Sequence, residues 1–155
     1  MKLITVSGAH SGAGKTMVVE RLLERFKGWA CLKVTVLHEG ACPTGKDCGA
    51  CDELASKFSI ISSKNLIEQD GKDTKRFKDA GARKVLWLKS RPQHLKEGLA
   101  KAISKLNKAR GVIVEGTSVL KYLKPDLAIF VRGRGSTLKP SAKEAIKKVD
   151  LILTV

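Results

Sequence analysis

Residues 8–16 read Gly8-Ala9-His10-Ser11-Gly12-Ala13-Gly14-Lys15-Thr16, and what flanks them constrains the fold more than anything else in the chain. Before them stands a short apolar, β-rich run, Leu3-Ile4-Thr5-Val6; after them Met17, Val18, Leu22, Leu23 and Phe26 recur at helical spacing. A glycine-rich loop between a strand and a helix exposes backbone N–H groups where the positive end of the helix also points, a geometry suited to phosphate oxygens. In that reading Gly8, His10, Ser11, Gly12, Ala13 and Gly14 line the cradle, Lys15 reaches the β- and γ-phosphates as the catalytic cation, and the Thr16 hydroxyl binds magnesium. The pattern G-x-x-x-x-G-K-[ST] asks for glycine at position 9, where this chain has Ala9 and carries its first glycine at Gly8. The competing reading, a plain glycine turn with an incidental Lys-Thr, requires strand, loop and amphipathic helix to coincide by chance.

The remainder alternates in the same way. Residues 31–37, 58–61, 84–88, 111–115, 125–131 and 149–155 read as strands; residues 72–80, a segment from Pro92 to about Lys108, and residues 141–148 read as helices. Continuous apolar strands separated by helices imply a doubly wound, mostly parallel α/β sheet with helices on both faces. The 155 residues suit one nucleotide-binding domain, and no repeat or Pro/Gly/Ser-rich linker divides them. In such a sheet ligands sit beyond the C-terminal ends of the strands. That directs attention to the glycine loop, to His38-Glu39, to Glu115-Gly116 and to Arg132-Gly133-Arg134.

The net charge of +15 is concentrated: residues 72–110 carry 13 Lys/Arg against Asp73, Asp79 and Glu97. A surplus of that kind attracts nucleic acid or acidic proteins. Yet Lys96, Lys101, Lys105 and Lys108 fall away from the stripe of Leu95, Leu99, Ile103 and Leu106, and aromatic residues are only 5% with no RNA-binding signature. A solvated helix face is the simpler reading, and nucleic acid is not the expected partner. No apolar run approaches the ~18–20 residues of a membrane span, and no signal h-region opens the chain, so a cytoplasmic protein is expected.

Two acids are candidates for the metal. Glu115 ends the apolar strand Gly111-Val112-Ile113-Val114, where a carboxylate can meet the magnesium held by Thr16, directly or through water; a structural helix cap is the alternative. Asp73, in Gly71-Lys72-Asp73-Thr74, could complete the metal shell, orient an attacking water, or N-cap a helix. His38, Cys42, Cys48 and Cys51 place four zinc-compatible ligands within fourteen residues, and Cys48-x-x-Cys51 has the spacing of half a zinc knuckle or of an iron–sulfur ligand pair. Cysteines in a reducing compartment are also ordinary small packing residues, the reading that suits Cys31 inside its strand. Arg132 and Arg134 could stack on a base or pair with an anion, although a plain basic turn accounts for them.

Phosphate loop, "GKDTKRFKDAGA" and "VIVEG" occur in the order seen in MobB-type proteins of molybdopterin-guanine dinucleotide biosynthesis, and the chain resembles that family over most of its length. The resemblance implies a P-loop fold of the class that includes signal-recognition, MinD-like and dethiobiotin-synthetase-like proteins. It also implies GTP rather than ATP, Mg2+, slow hydrolysis, a homodimer, and a protein partner in molybdenum cofactor assembly. Gly14, Lys15, Thr16, Asp73 and Glu115 carry over. The chain departs from the family at "VLHEGACPTGKDCGACDE", where a Lys-His segment is usual, and it has no Asn-Lys-x-Asp segment to select guanine. Two further expectations follow: a metal-insertion chaperone GTPase using the Cys/His loop, or a small-molecule kinase or ATP-dependent ligase, for which the sequence offers no acceptor site.

Overall fold

The computed structural model describes residues 1–37, 54, 56–135 and 137–155. Its strands are β1 (Lys2–Gly8), β2 (Ala30–Val36), β3 (Phe58–Ile61), β4 (Val85–Ser90), β5 (Gly111–Glu115), β6 (Leu127–Val131) and β7 (Leu151–Leu153). They form one sheet in the spatial order β3-β4-β2-β5-β1-β6-β7, parallel throughout except where β3 runs against β4. The central strands are apolar on both faces because helices cover both: Val6, Leu32, Ile113, Val114 and Phe130 are fully buried.

One face is covered by α1 (Lys15–Arg25), α2 (Lys64–Ile67) and α3 (Asp73–Asp79), whose Val19, Leu23, Ile67 and Phe77 pack with Val6, Cys31 and Ile113. The other is covered by α4 (Leu95–Ser104), through Leu95, Leu99 and Ala102 against Leu32, Leu88 and Val114, and by α5 (Pro140–Ala145), through Ala142 and Ala145 against Phe130. Burial of side chains of this size stabilises by about 1.5–3 kcal/mol each, so two opposed apolar faces suffice to fix the sheet between them. The α4 stripe is as its periodicity predicts: Lys96, Lys101, Lys105 and Lys108 are exposed, and Lys101 pairs with Glu97 at 2.9 Å.

The differences from expectation lie at edges and ends. β3 is an antiparallel edge strand, half-buried along its length. The four-residue α2 is too short to leave a periodic signal. Pro92 opens a 3-10 turn (Pro92–His94) ahead of α4, since proline suits a first turn that lacks an N–H donor. The helix expected to reach Lys108 ends at Ser104, and the last helix divides into α5 and a 3-10 turn (Ile146–Lys148). Cys31 is wholly buried, and burial pushes its thiol well above the usual range, which fits a packing residue.

Candidate functional site: a cleft at the C-terminal edge of the sheet

β1 lies between β5 and β6, with Val6 opposite Glu115 on one side and Ile129 on the other. The residues that leave these strands therefore converge at one edge. The chain turns from β1 into α1 through Gly12 (φ 81°) and Gly14 (φ 97°), left-handed conformations that glycine adopts without a Cβ penalty. Lys15 folds back over the loop, its Nζ donating to the His10 carbonyl at 3.0 Å, which the Ala13 N–H also approaches at 3.3 Å. Gly8 is required beneath it: a Cβ there would lie 2.8 Å from Lys15 Cγ and 2.9 Å from Cδ. The glycine at position 8, one place early for the motif, is thus the one the lysine stem crosses. His10 Nδ1 lies 2.7 Å from the Ser11 carbonyl, and Ser11 and Gly12 are exposed at the rim.

Three further acidic and hydroxyl groups meet beside the loop. Thr16, in the first turn of α1, lines the same cleft as the Asp73 carboxylate, and its hydroxyl favours the ionised acid. Asp73 opens α3, but the cap residue is Lys72 and no side chain caps this helix. The N-capping role is therefore not taken, and the carboxylate turns toward the cleft to pair with Lys33 of β2. Burial works against charge on Asp73, but the Lys33 hydrogen bond and charge, with the Thr16 hydroxyl, outweigh it and hold the carboxyl below its ordinary range.

Glu115 ends β5 opposite Lys33 of β2 and is only 6% exposed. Its Oε2 has no hydrogen-bond partner among the described residues, and the turn after it is entered at Thr117 with no side-chain cap, so the acid is not a cap either. Burial pushes its carboxyl up, opposed by Lys33 and Lys15 and reinforced by Asp73. Lys15 is held below its ordinary value by burial, with Glu115 opposing.

The structure thus brings Gly8, His10, Ser11, Gly12, Gly14, Lys15, Thr16, Asp73 and Glu115 around one cleft of about 330 Å³. Ala13 is buried behind the loop. His38, Cys42, Cys48 and Cys51 lie outside the described residues. Among the described residues no group of three or more His, Cys, Asp or Glu side chains is gathered to hold a metal ion. Thr16, Asp73 and Glu115 still fit magnesium on a P-loop, which keeps waters and takes phosphate oxygens with only a few protein ligands. The unpartnered, buried Glu115 oxygen is the feature such an ion would satisfy.

Three contributors are absent from the motif. Lys33 looks like one lysine in an apolar run, and only the pairing of β2 with β5 sets it against the acids. Thr117 Oγ1 accepts from the Gly8 N–H at 3.2 Å and donates to the Gly8 carbonyl at 3.1 Å, fastening the loop to the segment after β5. Gly133, rather than the exposed Arg132 and Arg134 on either side, touches the cradle: a Cβ there would fall 2.8 Å from Ala13 Cα. The signal available in sequence was the glycine itself, at the end of a strand next to β1.

No family model matches the chain, and no curated protein matches it. Among solved structures it is similar to LpxK from Aquifex aeolicus, in complex with ATP, at 19% sequence identity and a TM-score of 0.55. That likeness covers 100% of this chain and 48% of the other, so this chain spans about half the length of its structural neighbour. Nothing in these comparisons supports the MobB-type identity that the motifs suggest. No described helix is long and apolar enough to cross a membrane. The fold is a seven-stranded, mostly parallel α/β sheet covered by helices, the fold it shares with that ATP-bound structure.

Proposed function

We propose that this chain binds a magnesium–nucleoside triphosphate in the 330 Å³ cleft and hydrolyses it slowly, as one domain over residues 1–155. The single observation that carries the reading is the buried Glu115 carboxylate, with an oxygen lacking any described partner, facing Thr16, Asp73 and Lys15 beside a glycine cradle. Thr16, Glu115 and Asp73 would hold magnesium there, and the ion would supply neutralisation of phosphate charge. The loop N–H groups and the start of α1 hold the phosphates, and Lys15 exchanges the His10 carbonyl for phosphate oxygen. The Lys33 ammonium, with help from the Thr16 hydroxyl, holds the Asp73 carboxyl below its ordinary range, which suits it to orient a water.

For the nucleotide, the MobB-type motifs favour GTP, while the structural neighbour was solved with ATP. A role in molybdenum cofactor assembly, with a protein partner and a homodimer, rests on those motifs. The test is to identify nucleotide and metal copurifying with untagged protein and to measure phosphate release from GTP and ATP. Magnesium-dependent release that disappears in Thr16→Ala supports the reading; release indifferent to magnesium refutes it.

One observation favours a second reading, phosphoryl transfer to a small acceptor. A groove of about 440 Å³ adjoins the phosphate cleft and shares Val36, Thr117, Ser118 and Ser141 with it, while Leu120 and Tyr122 give it an apolar wall. Of this shared rim, Val36 ends β2, Thr117 and Ser118 follow β5, and Ser141 comes from α5. Its volume is in the range of small-molecule sites. Label from γ-labelled nucleotide appearing in an organic product would favour transfer; label only in inorganic phosphate would favour hydrolysis. The chaperone alternative rests on the Cys/His loop.

A further inference from the structure

Lys33 is not part of any phosphate-loop pattern, yet it is the second lysine of this cleft. Its Nζ pairs with Asp73, its side chain is 20% exposed, and its strand is held on both sides by β4 and β5. Trp87 of β4 stands beside it, with the ring centroid 5.9 Å from Nζ. Buried Glu115 is its register partner. The amine is thus confined to a small volume bounded by two carboxylates, an indole and the open cleft.

Lys15, Lys33 and Lys139 line the cleft with the carboxylates of Asp73 and Glu115, and Lys33 is the one whose amine pairs with Asp73. Magnesium at Thr16, Asp73 and Glu115 would place a second, doubly charged cation on the carboxylate that Lys33 now neutralises. Two cations on one carboxylate repel at contact distance in a partly buried site, where screening is weak. Backbone pairing on both sides fixes the Lys33 main chain, the indole stands on one side of the amine, and the flexible stem lets the amine swing toward the cleft that it already lines. The anion it would meet there is the terminal phosphate: Lys15 is shared between the β- and γ-phosphates, so the γ-oxygens have room for a second cation.

We propose that Lys33 is a terminal-phosphate sensor: magnesium displaces it from Asp73, and the freed ammonium pairs with the γ-phosphate, making the site select triphosphate over diphosphate. The selectivity is therefore magnesium-dependent, since without the ion Lys33 stays on Asp73. This rests on the proposed magnesium–nucleotide reading and adds the residue that distinguishes the two nucleotide states.

The test is calorimetric titration with GMP-PNP and AMP-PNP against GDP and ADP, with magnesium and with chelator, for wild type, Lys33→Met and Lys33→Gln. A charge-assisted hydrogen bond to phosphate corresponds to about ten- to a hundredfold in affinity. Lys33→Met should lose that factor for the imidotriphosphates and no more than about threefold for the diphosphates. Wild type should lose its triphosphate preference in chelator. Lys33→Gln, which can still hydrogen-bond Asp73, should behave like Lys33→Met if the charge matters. Equal losses for tri- and diphosphate, no loss for either, or a wild-type preference that survives chelation would each overturn the proposal. If Lys15→Ala also left nucleotide affinity untouched, the failure would belong to the phosphate-loop reading; if Lys15→Ala abolished binding, it would belong to the Lys33 inference alone.

Discussion

Glu115→Gln should make the empty protein more stable and the loaded protein less so. The carboxylate is 6% exposed, one oxygen has no partner among the described residues, and burial raises its pKa despite the nearby Lys33 and Lys15. An acid whose folded pKa lies above its unfolded value contributes stability that is fully present below the unfolded value and is lost as pH rises through the folded one. Without magnesium, the wild type at pH 8 therefore carries the cost of a buried charge. An unsatisfied buried acceptor costs about 1–3 kcal/mol. Glutamine recovers only part of that, because its amide gains no partner and the attraction to the two lysines goes. We expect a gain of about 1 kcal/mol, a rise in Tm of roughly 2–4 °C for a chain of this size. The assay is thermal unfolding by circular dichroism in chelator at pH 8 and at pH 5, then with saturating magnesium and a non-hydrolysable triphosphate. The variant should melt higher at pH 8, the gap should close toward pH 5 as the wild type protonates, and the order should invert on loading. A variant that melts below wild type at pH 8 in chelator, and gains as much on loading, would refute the reasoning.

Gly8→Ala places a Cβ against the Lys15 stem at 2.8 Å, so triphosphate affinity should fall about ten- to a hundredfold through a misplaced ammonium; an unchanged titration curve would mean that the stem swings aside freely. Asp73 has the opposite titration sense to Glu115: its pKa is lowered, so the stability that its pairing provides is present above the unfolded value and lost as pH falls through the folded one. Asp73→Asn should accordingly flatten the acid limb of the pH–stability curve, and an identical limb in both proteins would show that the pairing contributes nothing. For the Cys/His segment, elemental analysis of protein purified without chelator should find close to one zinc, or an iron–sulfur chromophore, per chain. A Cys48→Ser/Cys51→Ser variant should lose it; metal-free wild type would leave those cysteines as packing residues.

The glycine loop between β1 and α1 and both faces of the sheet were readable from local pattern alone. Strand, glycines, Lys-Thr and amphipathic helix are contiguous in sequence, and the α4 lysines fall opposite their leucines by periodicity. Glu115 could be placed because the acid directly ends its own apolar strand. What was not readable depends on pairings between distant segments. Lys33 meets Asp73 across forty positions only because β2 pairs with β4 and α3 packs on α1 and β4. Thr117 and Gly133 matter through contacts made after the sheet has assembled, and the reversed β3 leaves no trace in composition. Asp73 illustrates the limit from the other side: as an acid at a helix start it has equal claims to a cap and to a site in sequence, and only its pairing with Lys33 and the uncapped helix start decide between them.

The central claim is that Lys15 and its loop hold the phosphates of a magnesium–nucleotide. Equilibrium titration of wild type and Lys15→Ala with fluorescent GTP and ATP analogues, in magnesium, tests it most directly, with circular dichroism to establish that both proteins are folded. Saturable binding by the wild type, weakened at least about a hundredfold in Lys15→Ala through the loss of its charge-assisted phosphate bonds, is the result predicted. Equal affinity in two folded proteins, or no binding of either nucleotide by the wild type, would contradict it.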